Sequence, residues 1–240
     1  MDKTYLITGA SRGIGRAIAK RLATDGNNLY ITCRNNIDEL SKFAFELSLT
    51  HSVKCIPIQC DAGNYADVEK LFNQIARLDG VINNTGIAWL GLLTDMTPSE
   101  WDDVIRTNLT SIYNSSRLAI PLMLREGEGR IINISSVWGN VGASTEVAYS
   151  ASKGGVNAFT RALAKELAPS NIAVNAIACG VVDTDMNRDH LSKEDLDQLV
   201  IEIPAGRLCS PTEVAELVIN ILHSPVYLTG QVITMDGGWT

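Results

Sequence analysis

Short apolar runs alternate along this chain with longer stretches in which apolar positions return every three or four residues. The runs at 5–8, 29–33, 53–58, 81–83, 130–134, 172–177 and 231–235 read as strands. The stretches near 13–25, 38–49, 66–77, 100–124, 149–167 and 212–222 read as amphipathic helices. Strands regularly separated by helices imply right-handed crossovers, and hence a parallel sheet covered on both faces. The expected fold is therefore α/β and Rossmann-type, a doubly wound, seven-stranded parallel sheet with helices on both faces. No repeat, low-complexity segment or linker divides it, so residues 1–240 are expected to form a single domain. Gly26 is placed to end the first helix, and Thr97-Pro98 to begin another. One segment, 183–197, is more acidic and less periodic than its surroundings. It reads either as a surface excursion or as part of a substrate lid, spanning 183–204, over the C-terminal sheet edge where open α/β folds bind ligands.

Composition narrows the class. With 240 residues, 45% of them hydrophobic, the chain can bury a substantial core. A net charge of −7 and the lack of any Lys/Arg run argue against a nucleic-acid surface. The five cysteines (Cys33, Cys55, Cys60, Cys179, Cys209) are odd in number and lack metal spacing, and His51, His190 and His223 are scattered, so no metal site is expected. Cys33, Cys55 and Cys60 lie in or beside apolar runs, where reduced, buried thiols are expected. No run approaches ~18 apolar residues. The opening MDKTYLIT is already strand-like, without a basic segment followed by an apolar one. A cytoplasmic protein without membrane contact is expected.

The first strand runs straight into Thr8-Gly9-Ala10-Ser11-Arg12-Gly13-Ile14-Gly15 and then a helix. Gly9 permits a tight turn, Gly13 lets the backbone approach a pyrophosphate, and Gly15 permits close helix–strand packing. The helix N-terminus presents free N–H groups and a positive dipole end to an anion. Glycines also serve ordinary turns. Strand before and helix after, at the start of a βαβ unit, are what make this a dinucleotide loop. The second strand ends Thr32-Cys33-Arg34-Asn35-Asn36, with no acid to meet a ribose 2′-OH before Asp38. Arg34, with Arg12 in the glycine loop, suits a 2′-phosphate, so NADP(H) is the expected cofactor. The plainer reading of Arg34 is a solvated loop residue.

Tyr149 and Lys153 stand at i,i+4, thirteen positions after Ser136. That spacing puts phenol and ammonium on one helix face. A neighbouring cation favours the phenolate and would lower the phenol from its ordinary value of about 10 toward the range useful for proton transfer. Such pairs also occur by chance on solvated helix faces.

Taken with TGASRGIG at 8–15, CDA at 60–62, NNTG at 83–86, Asn108, Ser136, YSASK at 149–153, GVVDTDM at 180–186 and the terminal DGG, the chain resembles the short-chain dehydrogenase/reductases over essentially its whole length. Its C-terminal third, with IPAGRLCSPTEVAELV and YLTGQVITMDGGW, is most similar to 3-oxoacyl-acyl-carrier-protein reductases. The resemblance implies roles. Tyr149 would give a proton to the substrate carbonyl. Lys153 would lower its pKa and bond the nicotinamide ribose. Ser136, matching the family spacing better than Ser135, would hold the carbonyl, and Asn108 would anchor a proton-relay water. Asp61 and Ala62 would meet the adenine, Asn84 and Gly86 would lie along the cofactor, and Val182 and Thr184 would lie near the carboxamide. Asn108 otherwise reads as a polar helix-face residue, and Asp61 as a helix cap.

Three departures qualify the likeness. Thr85 replaces the family's alanine in NNTG. Cys179-Gly180 replaces Pro-Gly, leaving a thiol near the nicotinamide end. The segments at 125–129 and 169–171, where carrier-protein reductases present basic residues, offer an acidic carrier only Arg125, with Arg161 nearby. Trp89 and Trp138 follow the NNTG and Ser136 motifs, and either border the substrate site or serve core and subunit packing.

The function expected is NADPH-dependent reduction of a ketone to a secondary alcohol, most readily a 3-oxoacyl thioester. A free small-molecule, sugar or steroid ketone is the alternative within enzymes, and a non-catalytic NADP(H) sensor or scaffold the alternative outside them. Apolar positions on more than one helix face, including Leu109, Ile112, Leu118, Phe159, Leu163 and Leu167, suggest a homodimer or homotetramer, unless they only face the sheet.

Overall fold

The computed structural model describes residues 3–190 and 192–240; Leu191, within the expected lid, lies outside them. In chain order the elements are β1 (Thr4–Ile7), α1 (Gly13–Thr24), β2 (Asn28–Cys33), α2 (Ile37–His51), β3 (Cys55–Gln59), α3 (Tyr65–Phe72), β4 (Gly80–Asn83) and α4 (Pro98–Ile105). There follow α5 (Ser111–Glu126), β5 (Gly129–Ser136), α6 (Trp138–Val141), α7 (Val147–Leu167), β6 (Ile172–Cys179), α8 (Asp185–His190), α9 (Lys193–Glu202), α10 (Pro211–His223) and β7 (Val232–Met235). All seven strands are parallel, in the order β3-β2-β1-β4-β5-β6-β7. The chain thus starts at the sheet's middle and winds outward twice, which leaves a crevice at the carboxyl ends of β1 and β4.

Parallel strands covered on both faces should be apolar throughout rather than alternating. β6 is buried at every position. One face packs Ile18, Leu22, Leu40, Val214 and Val218 from α1, α2 and α10; the other packs Val68, Leu71, Ala119, Met123 and Ala164 from α3, α5 and α7. Ile112, which suggested a subunit contact, is buried within this chain, as is Leu167; Leu118 and Leu163 are partly buried against the second face.

Two boundaries differ from expectation for local reasons. Residues 100–124 are not one helix. The capping box of Thr97 and Glu100 starts α4 at Pro98, and a π-helical turn over Arg106–Thr110 then separates α4 from α5. A π turn inserts a residue into the helical ladder, often at functional sites. The third strand starts at Cys55 rather than 53, because α2 runs to His51 and Ser52 closes it in the left-handed conformation. Gly26, at φ +80°, follows α1 as expected.

Candidate active site

At the carboxyl edge of the sheet lies a cleft of about 620 Å³. Its one end is backbone. Gly9 and Gly13 adopt φ of +67° and +57°, which L side chains resist. A Cβ on Gly15 would run into the Gly9 carbonyl and stand 2.6 Å from Asn84 Nδ2, so α1 can approach β1 only with glycine there. Asn84 Nδ2 donates to Thr8 O and Gly9 O at 3.1 and 2.8 Å, and the Asn84 and Thr85 amides donate to Thr8 Oγ1. Asn84 therefore holds the glycine loop from behind. Thr85, the departure from NNAG, puts its Oγ1 3.0 Å from where a Gly9 Cβ would stand. Ser11, Arg12, Gly13, Ile14, Arg34, Asp61, Ala62, Asn84, Gly86, Val182 and Thr184 all line this cleft. The loop's extended reach and the uncapped N-terminus of α1 fit an anionic dinucleotide.

Within that set, Asp61 is engaged by its own chain. Its Oδ1 accepts from Gly63 N at 2.9 Å and its Oδ2 pairs with Arg106 Nη1 at 2.8 Å. Arg34 and Arg12 are exposed at the cleft margin, and Arg12 reaches to 3.9 Å from Asp185 at the start of α8. The acidic segment 183–204 forms α8 and α9, and its Asp183 and Asp185 share Arg188 at 2.7 and 3.4 Å. Asp185, Met186, Asn187 and Leu199 from it close one side of the cleft.

The other end is built of side chains. Ser136 ends β5, and Tyr149 and Lys153 sit in the first turns of α7. The Trp138 amide donates to Ser136 Oγ at 3.2 Å, which leaves the serine proton free to point elsewhere, and Ser136 stands beside Tyr149. Lys153 is buried; its Nζ donates to Ile134 O at 2.8 Å and lies 5.6 Å from the centre of the Tyr149 ring. Burial lowers this ammonium to about 8.

The phenol moves opposite to expectation. Tyr149 touches the cleft with part of its ring, yet the protein around it pushes its pKa well above 10, with Glu146 and Cys179 adding to the rise and Ser136 opposing it. Desolvation of a phenolate outweighs a cation held several ångströms away. The resting group is a neutral phenol, a proton donor.

Asn108 is fully buried in the π turn. Its Oδ1 accepts from Ile87 N at 2.8 Å, and its Nδ2 donates to Ile87 O at 2.9 Å and Ser152 Oγ at 3.0 Å. It thus ties the loop after β4 to the helix of Tyr149, and it is no exposed polar residue. Gly86 faces Asn108 and Lys153; a Cβ there would stand 3.4 Å from Asn108 Oδ1 and 3.6 Å from Lys153 Nζ. Ser135, the competing hydroxyl, is buried and spent on Asn157 Oδ1 at 2.6 Å.

The family of short chain dehydrogenases matches residues 3–195. The chain belongs to it. This short-chain dehydrogenase/reductase is 38% identical to an uncharacterized oxidoreductase of Bacillus subtilis, covering 100% of this chain and 99% of that protein. It is 39% identical to the 3-oxoacyl-acyl-carrier-protein reductase FabG of Staphylococcus aureus, covering 99% and 98%. Among solved structures, an actinorhodin polyketide ketoreductase variant with NADPH superposes with a TM-score of 0.93 at 33% identity, covering 99% and 97%. A 3-oxoacyl-acyl-carrier-protein reductase of Brucella melitensis gives 0.92 at 33%, covering 98% and 90%.

The enzyme's two tryptophan expectations part company. Trp138 lines the cleft, its ring 4.9 Å from that of Trp239. Trp89 is not among the lining residues: its Nε1 donates to Glu100 Oε1 at 3.0 Å and its ring packs over Gly91. Three cleft residues were given no role from sequence. Trp239 follows the terminal DGG, Glu146 precedes Tyr149 by one helical turn, and Thr107 adjoins Asn108. The Thr107 hydroxyl is buried without a hydrogen-bond partner among the described residues. Cys179 is buried and its thiol is pushed up to about 12, which makes it inert packing rather than a reactive group. No helix of the described residues is long and apolar enough to cross a membrane, and no three His, Cys, Asp or Glu among them are grouped to hold a metal.

Proposed function

We propose that the enzyme reduces a ketone to a secondary alcohol with NADPH, and that 3-oxoacyl thioesters are its substrate class. The observation that carries this is the neutral Tyr149 phenol beside Ser136 and above a buried Lys153, at one end of a cleft whose other end is a glycine loop. A bound reduced nicotinamide supplies the hydride. The chain supplies the rest. Gly9–Gly15 with the N-terminus of α1 would hold the pyrophosphate, and Arg34 with Arg12 the 2′-phosphate. Asp61 and Ala62 would meet the adenine, and Val182 and Thr184 the carboxamide.

Ser136 donates to the substrate carbonyl oxygen and stabilises the charge that develops there. Tyr149 gives its phenolic proton to that oxygen as the carbonyl carbon accepts the hydride. The Lys153 cation stabilises the phenolate left behind. Asn108 keeps the loop after β4 and α7 in register, so that the three groups stay aligned. A proton relay through an Asn108-bound water completes the cycle.

The names of the relatives support the thioester, as does the C-terminal third. Arg125 and Arg161, both exposed, are the cations available to an acidic carrier protein. The Trp138–Trp239 pair favours a second reading, because two indoles narrow the substrate end toward small or flat free ketones. One assay separates the readings: oxidation of NADPH and of NADH is followed with an acetoacetyl thioester, its carrier-bound counterpart, decalone and a steroid ketone. A thioester turned over at least tenfold better than the free ketones, with NADPH preferred, supports the first reading. Turnover of decalone or the steroid alone supports the second. No oxidation with any ketone would leave only a nucleotide-binding scaffold. A cytoplasmic homodimer or homotetramer remains part of the proposal, to be checked by sedimentation.

A further inference from the structure

Glu146 lines the cleft but has no part in the chemistry above. It stands at the N-cap of α7, yet its carboxyl makes no capping bond to the helix. It lies instead beside the indole of Trp138, whose ring lies against that of Trp239, and all three line the cleft with Tyr149. The preceding Thr145 is held at φ +64°, a conformation a β-branched residue resists, and its carbonyl is pinned by the Gly91 amide at 2.9 Å. Gly91 is in turn covered by the Trp89 ring, which Glu100 fixes. A chain of contacts from α4 thus aims Glu146 at the substrate end. Burial raises its pKa, and no cation contributes to its surroundings among the described residues. Trp138 and Tyr149 are the polar groups whose surroundings it shares, and Cys179 also acts on the phenol. One N–H does not satisfy a carboxyl that has about four lone-pair sites.

We propose that Glu146, framed by Trp138 and Trp239, is a specificity-determining acceptor that selects ketones carrying a hydroxyl or amide N–H next to the carbonyl over all-hydrocarbon analogues. This rests on the ketone-reductase reading. A site built to accept a substrate hydroxyl leaves its own acceptor unpaired when the analogue lacks one, and so rejects it. The same carboxyl turned toward an alkyl arm would be desolvated for nothing.

The test uses the N-acetylcysteamine thioesters of 4-hydroxy-3-oxobutanoate and 3-oxopentanoate, which differ by OH in place of CH3. The parent enzyme should show kcat/KM at least about tenfold higher for the hydroxylated thioester. In Glu146→Gln one acceptor oxygen is replaced by an NH2 donor of the same shape, so the preference should fall to about unity or reverse. Taking the ratio cancels any change in Tyr149 that both substrates share. Equal kcat/KM for the pair in the parent enzyme overturns the proposal whether or not the variant folds. A ratio unchanged in a folded Glu146→Gln overturns it too. If neither thioester is turned over, the thioester reading fails on its own, and binding decides this one. Quenching of tryptophan fluorescence must then show at least tenfold tighter binding of the hydroxylated compound, and equal affinities overturn the proposal.

Discussion

The two ends of the cleft are built from different materials. At the glycine end the working parts are backbone amides and conformations that only glycine adopts readily: Gly9, Gly13 and the absence of a Cβ at Gly15. At the tyrosine end they are side chains, each oriented by another through hydrogen bonds of long sequence separation. Ser152 and Asn108, Ser135 and Asn157, Lys153 and Ile134 all join segments far apart in the chain. A backbone site tolerates no added atom but needs little support. A side-chain site tolerates small changes in shape but depends on its supporters. Substitutions at the two ends should therefore fail in different ways.

The largest effect is expected at the tyrosine end. Tyr149→Phe removes the proposed acid, whose proton is transferred to the carbonyl oxygen, and keeps the ring. General acid catalysis contributes about 10²–10⁴-fold, so kcat/KM should fall about a thousandfold with the melting temperature little changed. A variant as fast as the parent would remove the phenol from the mechanism. Gly15→Ala should do the reverse. Its methyl runs into the Gly9 carbonyl, so α1 must move, at a cost of about 1–3 kcal/mol for overpacking. Calorimetry should show weaker cofactor binding and a lower melting temperature together, whereas unchanged binding would mean that the loop is not the phosphate site.

The difference in materials also explains what the sequence could disclose. Glycines in a strand–loop–helix context announce a backbone site, because few other roles need three of them there. The seven strands and their parallel order followed from apolar runs of the right length, since a sheet covered on both faces leaves no polar alternation to misread. At the other end, the i,i+4 spacing put Tyr149 and Lys153 on one helix face and the family resemblance singled out Ser136, but the direction of the phenol's shift was not legible. That depends on how much protein surrounds the ring and on Glu146, and neither is visible in an i,i+4 pair. The π turn that buries Asn108 was hidden in a sequence that reads as one continuous helix. Trp89 and Trp138 looked alike by position. The structure sends one to Glu100 and the other to the cleft, because only the tertiary path of the loop after β4 decides between them.

The margin between the two ends offers a finer break. Arg34 is exposed at the cleft edge and makes no ion pair among the described residues, so Arg34→Asp would remove the proposed 2′-phosphate ligand and add a ribose acceptor. A hydrogen bond to a charged group is worth about 1.5–3 kcal/mol. Titrations should show NADPH binding weakened by about ten- to a hundredfold, with NADH binding held or improved. Equal losses for both nucleotides would reject Arg34 as the selecting residue.

The mildest perturbation is pH, and it isolates the tyrosine end alone. In the proposed mechanism Lys153 acts as a cation, and burial lowers it from an ordinary 10.5 to about 8. The groups facing it stay neutral through that range, because burial takes Cys179 to about 12 and Tyr149 well above its usual value. A required group that is charged below its pKa sustains activity below that pKa and withdraws it above. Thus kcat/KM for carbonyl reduction should be level up to about pH 8 and then fall tenfold for each further unit, well before an exposed lysine would begin to titrate. Cofactor affinity at the glycine end, held by amides and guanidinium groups that do not titrate there, should stay constant over the same span. A profile level to pH 10 would mean that the ammonium keeps its proton and that burial is offset by something not seen around it. A parallel fall in cofactor affinity would mean instead that Lys153 holds the nucleotide more than it serves the phenol.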